Sequence, residues 1–399
     1  VRAAPARFRT TPPALIGEAA VAAVLAALPR ARLVGGVVRD ALAGLPTADL
    51  DLATPDAPGA VMQALAGAGI RVVPTGLAHG TVTAIADGRP VEITTLRRDV
   101  ATDGRHATVA FTDDWHEDAA RRDFTINAMS MTPAGEVEDW FGGREDLAAG
   151  RVRFVGEAAR RIAEDYLRAL RFFRFHARYG RGAPDAEAVS AIAAAVPGLA
   201  RLSAERVWGE LKRILAAPDP QASVALMRET GVLAAVLPEA EDGAVLAGLV
   251  RAGAPAEPLL RLAALVPGES EGLAARLRLS AAEAARLAAA RGPVPGPDAD
   301  DAALRRALAD APREALRDRA WLAEARSGAG EWAALRARLA AAAVPVFPLA
   351  GADVVAAGVA PGPAVGAALA AVRDWWLAGG CVADRAACRA RLGEHLSAR

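Results

Sequence analysis

The pattern of apolar and polar positions divides the chain in two. Positions 14–28 carry alanine, leucine and valine at helical spacing and predict an alanine-rich helix. Strand-like runs follow at 31–38, 50–53, 70–73, 80–85 and 91–96. A short helix is predicted between the second and third runs, with Asp56 as a helix cap before Pro58. From Glu157 onward the periodicity is helical throughout, interrupted by turn signals at Pro184, Pro197–Gly198, Pro218–Pro220, Gly231, Pro238 and Pro267–Gly268. The run Gly292–Pro297 reads as a linker. The expected fold class is therefore α+β: a small mixed-sheet head over 1–150, then an elongated all-α arm, with a neck over 151–240 and a body and tail over 241–399. No internal repeat is evident.

Composition agrees with an alanine-rich, mostly helical globular protein: 53% of the 399 residues are hydrophobic and 5% aromatic. Lys212 is the sole lysine, so nearly every positive charge is a guanidinium, as a GC-rich genome would produce. The 47 basic and 47 acidic side chains cancel, which at first sight argues against a nucleic-acid partner. The distribution argues otherwise, since residues 151–181 hold nine arginines against three acids. Cys381 and Cys388 match no zinc spacing and read as free thiols of a reducing cytosol, so a cytoplasmic location is expected. Residues 1–13 lack a signal-peptide pattern. The uncharged stretch 354–372 is broken by Gly358, Pro361, Gly362, Pro363 and Gly366, so no membrane partner is expected.

Candidate chemistry concentrates in the head. In Asp49-Leu50-Asp51 the two carboxylates alternate with apolar neighbours, so on a strand both acids share one face while Leu50 and Leu52 face the core. Crowded carboxylates persist most cheaply when a divalent cation neutralises them, and Mg2+ favours carboxylates combined with phosphate oxygens. Glu92, flanked by Val91 and Ile93, would join them if its strand lies alongside; an exposed surface acid would show the same local pattern. Three acids could hold two metal ions. Gly35-Gly36 sits between a strand and a helix expected to open near Arg39, where backbone amides can approach an anion closely. Taken alone, the two glycines are equally a tight turn.

The run Leu33-Val-Gly-Gly-Val-Val-Arg-Asp, with Asp49-Leu-Asp51 and Arg121-Arg-Asp-Phe-Thr-Ile-Asn-Ala128, resembles the head of the class II tRNA nucleotidyltransferase and bacterial poly(A) polymerase family. That family belongs to the polymerase-beta-like nucleotidyltransferases. The resemblance implies catalysis by Asp49, Asp51 and Glu92, with two Mg2+ ions held at Asp49 and Asp51. It also implies that Gly35, Gly36 and Arg39 bind the incoming nucleotide, that Asp123 and Asn127 contact its sugar, and that Arg122 lies near its phosphates.

A helix predicted over 159–178 carries Glu164-Asp165-Tyr166-Leu167-Arg168. By spacing alone, Asp165 and Arg168 are also an ordinary intrahelical ion pair. In the family they resemble, Glu-Asp-x-x-Arg chooses the nucleotide. One carboxylate and one guanidinium complement the amine-beside-ring-nitrogen edge of cytosine and adenine. Guanine and uracil present the reverse order and would leave buried groups unpaired, at roughly 1–3 kcal/mol each. Glu164 would orient this pair.

The resemblance extends along the chain. Glu138 to Leu147, with Gly142-Gly143, is similar to the family's hinge, and the polar stretch 97–118, with Asp103-Gly104-Arg105, to its flexible loop. The segment 202–216, with Arg206, Glu210, Lys212 and Arg213, is similar to a helix-stabilising motif. Residues 349–366 resemble the tail of long bacterial members, where Gly362 would offer its amide to RNA phosphate. Arg171 and Arg174 would add RNA contacts on the arginine-rich arm. The implied activity is template-independent addition of CCA to the 3' end of tRNA from CTP and ATP, with no protein partner implied. The rivals are a poly(A) polymerase, a partial CC- or A-adding enzyme, and an inactive RNA- or nucleotide-binding module.

Overall fold

The computed structural model describes residues 4–47, 50–103, 106–268, 272–328 and 331–398. The chain forms two compact units, Val1–Pro238 and Glu239–Arg399.

The first unit is built on an eight-stranded mixed sheet. In chain order its elements begin with β1 (Ala6–Arg9), α1 (Ala19–Ala27), β2 (Arg32–Val34), α2 (Gly36–Leu42), β3 (Asp51–Thr54), α3 (Pro58–Gly67), β4 (Arg71–Gly76), β5 (Thr81–Ala86) and β6 (Arg89–Thr95). A separate hairpin follows, β7 (Arg97–Asp103) and β8 (His106–Phe111), then α4 (Trp115–Ala120). β9 (Ser130–Met131), β10 (Glu136–Asp139) and α5 (Gly143–Ala149) complete the sheet region. The strand order is β1-β10-β9-β2-β3-β6-β5-β4, with β3 and β6 parallel and the other pairs antiparallel.

Strand alternation assigns the two faces of this sheet. Leu33, Leu52, Val82, Ala84, Val91 and Ile93 point to one side, where Val21 and Val24 of α1 and Val61 and Leu65 of α3 cover them. Val34, Ala53 and Leu96 form a smaller cluster with Trp115. The predicted strand 31–38 is only three residues long. Gly35, at φ +69°, turns the chain there, and Val37 and Val38 instead pack from α2 into the core.

Five helices follow in this unit: α6 (Ala158–Glu164), α7 (Leu167–Tyr179), α8 (Ala186–Ala195), α9 (Ala204–Leu215) and α10 (Gln221–Glu229), before the short α11 (Val232–Val236). The continuous helix expected over 159–178 is in fact two, because Asp165 adopts extended backbone at φ −157° and ψ 108°. The buried side of α7 is broader than a single stripe. Ala169, Leu170, Phe172, Phe173, Phe175, His176 and Tyr179 are all buried. Phe172 and Phe175 join Phe124 and Phe154 in an aromatic cluster, with Phe124 and Phe154 centroids 4.7 Å apart and Phe124 and Phe175 5.2 Å apart. Truncating one such ring costs about 3–5 kcal/mol. The cluster therefore anchors α7 to the segment that carries Asp123 and Asn127.

The stretch 97–118, expected as a flexible loop, forms the β7–β8 hairpin and then α4, capped by Asp114 accepting from the His116 amide. Gly104 and Arg105 of its expected turn lie outside the described residues. The supposed hinge at Gly142-Gly143 is tightly held. The Asp139 carboxylate accepts amide hydrogens from Phe141, Gly143 and Arg144, and a Cβ on Gly143 would lie 2.2 Å from the Thr125 carbonyl oxygen. Close backbone approach, rather than freedom of rotation, accounts for that glycine.

The second unit is helical throughout its described residues. Helices Ala244–Arg251 and Arg313–Ser327 pack so closely that a Cβ on Gly248 would meet the Ala325 carbonyl oxygen at 2.3 Å. The Gly292–Pro297 run is no domain linker: Val294 packs against Leu304 and Leu308, and Arg319 donates to the Pro293 carbonyl. In the last three helices, Gly351–Ala356, Pro363–Ala378 and Arg385–Ser397, Val354, Val372, Trp376, Cys388 and Leu392 form a small core. Buried Asp353 ties the first of these helices to the last, accepting from the Ala350 amide and from Arg385 and Arg389, the two arginines each at 2.7 Å. No helix among the described residues is long and apolar enough to cross a membrane.

Candidate nucleotide-transfer site

β3 and β6 run parallel with Asp51 directly opposite Glu92. Val91 and Ile93 face the core, so Glu92 shares with Asp51 the face away from α1 and α3. The Glu92 carboxyl is lifted above its ordinary value by partial desolvation and then by the Asp51 charge, against the lowering effect of Arg97. A carboxylate pair in cross-strand register, one member raised by the other, fits a hard divalent cation, with oxygen donors of the kind Mg2+ takes. Asp49 lies outside the described residues.

Beside this edge, a cavity of about 510 Å³ opens within the first unit. The glycine turn borders it: Gly35 has positive φ, and a Cβ there would meet Arg122 Nη1 at 3.0 Å. Arg39 on α2 is buried, donates to Asn127 Oδ1 at 2.6 Å, and lies over the Tyr179 ring at 4.5 Å. Asp123 accepts from Asn127 Nδ2 at 2.9 Å and from Arg171 Nε at 2.7 Å. Burial opposes its ionisation, but Arg171 and the hydrogen bonds outweigh that and hold its carboxyl below the ordinary value.

The segment bearing Asp123 and Asn127 is locked by the backbone. Its Thr125 amide donates to the Arg153 carbonyl, and the Val155 amide to that of Asp123. Arg121 and Arg122 both converge on buried Asp118, at 2.7 and 3.0 Å. Arg122 is therefore held at the glycine turn by a carboxylate behind it.

Asp165 and Arg168 line the same cavity. They do not face each other as an intrahelical pair. Arg168 donates to Glu164, which also pairs with Arg161 at 2.8 Å, so the expected support from Glu164 reaches the arginine. Asp165 instead pairs at 2.7 Å with Arg206 of α9. Arg206 borders the cavity as well, a site position that sequence spacing could not reveal because it lies 41 residues away.

Arg171 and Arg174 also line this cavity. Arg171 pairs with Asp123 and Arg174 with Glu210; burial, with Arg171 alongside, brings Arg174 down to about 10. Gly362 belongs to the other unit, where it opens the Pro363–Ala378 helix at φ +151°.

A mixed sheet presenting paired acids beside a glycine turn, with an arginine-lined cavity against helical supports, is the head of a nucleotidyltransferase. Residues 31–153 match the family model "Poly A polymerase head domain", and residues 183–243 match "Probable RNA and SrmB- binding site of polymerase A". The human mitochondrial CCA tRNA nucleotidyltransferase 1 is 51% identical over 190 residues, covering 46% of this chain and 43% of that protein. The CCA-adding enzyme of Geobacillus stearothermophilus is 39% identical over 205 residues, covering 51% of this chain and 49% of its own. The matched region thus spans about half the length of the curated relatives. The crystal structure of the Bacillus stearothermophilus CCA-adding enzyme in complex with CTP superposes with a TM-score of 0.80 at 30% identity, covering 98% of this chain and 99% of that one. The chain belongs to the class II CCA-adding nucleotidyltransferase family, with its poly(A) polymerase-type head.

Proposed function

We propose that this protein adds CCA to the 3' end of tRNA, transferring CMP twice and AMP once from CTP and ATP and releasing pyrophosphate. One observation carries the reading: a single cavity brings Gly35, Asp51 and Arg122 together with Asp123, Asn127, Asp165 and Arg168. Support also comes from the relatives named for this reaction and from the superposable enzyme in complex with CTP.

The residues divide the work by chemistry. Asp51 and Glu92, with Asp49, would hold Mg2+, whose chemistry when bound is to activate the RNA 3'-hydroxyl and neutralise the leaving pyrophosphate. Gly35 and Gly36 leave room for phosphate oxygens beside the Arg122 guanidinium. Asn127 and Asp123, fixed to each other and to Arg39 and Arg171, offer an amide and a carboxylate to the ribose hydroxyls. Asp165 and Arg168 read the base edge, each oriented from behind by an ion pair. Arg171 and Arg174 assist at the cavity, and Gly362 supplies an RNA contact in the other unit. A cytosolic location suits Cys381 and Cys388, both of which are free.

The test uses the protein with Mg2+, CTP, ATP and a tRNA ending before CCA, with product lengths read on a gel. Three added residues requiring both nucleotides are expected. A long adenylate ladder, two or one added residues, or no extension would each replace this reading with one of its rivals.

A further inference from the structure

In the same unit as the catalytic cavity lies a second cavity of about 510 Å³ for which the reaction above has no use. Its floor is apolar, formed by Phe8, Leu42, Leu45 and Leu147 with the ring of Tyr179. Its rim carries four arginines, Arg9, Arg144, Arg178 and Arg181, and among the described residues no acidic side chain lines it. The contrast with the catalytic cavity is sharp, since there Asp51, Asp123 and Asp165 are interleaved among the arginines.

The rim guanidiniums are only partly engaged. Arg181 donates to the Leu147 and Ala148 carbonyls, and Arg9 has Glu136 at 3.7 Å. Among the described residues neither Arg144 nor Arg178 has a carboxylate partner. Arg144 lies over the Phe8 ring at 4.2 Å, and Arg178 lies near the Tyr179 ring at 5.8 Å. Four like charges round one concavity repel one another unless an anion sits between them, and guanidinium forks suit phosphate oxygens. An apolar floor with aromatic side chains suits the flat face of a base. The volume lies within the range of small-ligand sites.

We infer that this second cavity binds a nucleotide unit, with its base on the Phe8–Tyr179 floor and its phosphate on Arg144 and Arg178. The inference does not depend on which nucleotides the catalytic cavity transfers. A free ribonucleotide and one unit of an RNA strand share this chemistry. The occupant would also touch the catalytic cavity indirectly. The Tyr179 hydroxyl donates to Asp40, which pairs with Arg39 at 3.0 Å, and Arg39 holds Asn127.

The test measures binding to the full chain in two arms, with α-labelled ATP and with a short 5'-phosphorylated oligoribonucleotide. The proteins are wild type, Arg144→Ala/Arg178→Ala, Phe8→Ala, and Arg71→Ala as a remote exposed control. Both rim arginines are exposed, so the double variant should keep the wild-type melting temperature. If the source is free nucleotide, the wild type binds two equivalents of ATP, and the double variant and Phe8→Ala each bind one. If the source is RNA, both variants weaken oligonucleotide binding by roughly tenfold or more, while Arg71→Ala leaves it unchanged. A single ATP equivalent in every protein, with oligonucleotide affinity unaltered or equally altered by Arg71→Ala, overturns the inference. CCA addition is measured separately, so failure of one reading is not failure of the other.

Discussion

Asp165 and Arg206 close an ion pair of 2.7 Å between the break after α6 and the helix α9. The pair reassigns the support of the proposed base-reading residues. Glu164 steadies Arg168, whereas Asp165 depends on an arginine from a distant helix. Arg206→Ala should therefore loosen Asp165 while leaving Arg168 in place. The expected outcome is a fall in discrimination of about tenfold to a hundredfold, with UTP and GTP incorporated alongside CTP and ATP. Arg206→Lys should restore only part of it, because a single ammonium lacks the planar fork. Incorporation ratios from single-nucleotide extension assays check this; ratios unchanged in Arg206→Ala would remove Arg206 from nucleotide choice.

The cross-strand pair Asp51 and Glu92 yields a separate expectation. Asp51→Asn and Glu92→Gln keep the side-chain volumes but remove one negative charge each, so cation binding at the strand edge should fail. Nucleotide addition should drop to background in Asp51→Asn and sharply in Glu92→Gln. Binding of tRNA, measured by filter retention, should stay near wild type. Addition that survives in both variants would detach the carboxylates from the chemistry.

Much of this arrangement is legible in the sequence wherever local pattern decides it. Val91 and Ile93 bracket Glu92, and Leu52 follows Asp51, so alternation alone puts both acids on the solvent side of the sheet. The glycine turn at Gly35 is visible for the same reason. What escapes is set by tertiary contact. Nothing in Glu164-Asp165-Tyr166-Leu167 signals a helix break, since no proline or glycine is present. At the break the Asp165 carboxylate accepts the Leu167 amide and pairs with Arg206, and the Tyr166 ring fills the space where a Cβ on Gly198 would stand. Strands β1 and β10 are charged four-residue runs and β9 is two residues long, so none carries the apolar run that marks the other strands. The region 97–111 looks like a loop because its polar-rich strands form a two-stranded hairpin outside the main sheet.

Gly143 provides a stability test of the segment first read as a hinge. A Cβ there would lie 2.2 Å from the Thr125 carbonyl oxygen and 2.8 Å from its carbon, and neither is a movable side-chain end. Gly143→Ala should cost about 1–3 kcal/mol, seen as a lower denaturant midpoint with little change in slope. The displaced Thr125 would also disturb the neighbouring Asn127, so KM for nucleotide should rise. Gly142→Ala should be the milder change at the level of packing, because its nearest neighbour is the flexible end of Arg153 at 3.4 Å, although its φ of +77° adds strain. A hinge role would predict the opposite result, unchanged stability with slowed turnover.

His176 sets the expected pH dependence above the carboxylate range. Its ring is buried against Phe172, with Nδ1 2.7 Å from Ser223 Oγ, and burial lowers its pKa from the ordinary 6.5. In the unfolded chain the ring takes up a proton as pH falls through 6.5; in the folded chain it resists. The unfolded state therefore binds more protons in that window, and stability should decline as pH drops below 6.5 towards the lowered folded value. Asp118 and Asp123, whose carboxyls are held below 3.8, add their losses only at lower pH, as pH falls through their folded values. Thermal midpoints should thus fall with the His176 contribution from neutrality through mildly acidic pH in the wild type, ahead of the Asp118 and Asp123 losses. The raised carboxyls of Glu92 and Asp318 act in the opposite direction there and are common to wild type and variant. His176→Gln, which can keep a hydrogen bond to Ser223 without titrating, should flatten that part of the profile while leaving the acid limb below 3.8 in place. An unchanged slope in the variant would assign the mildly acidic loss to another group.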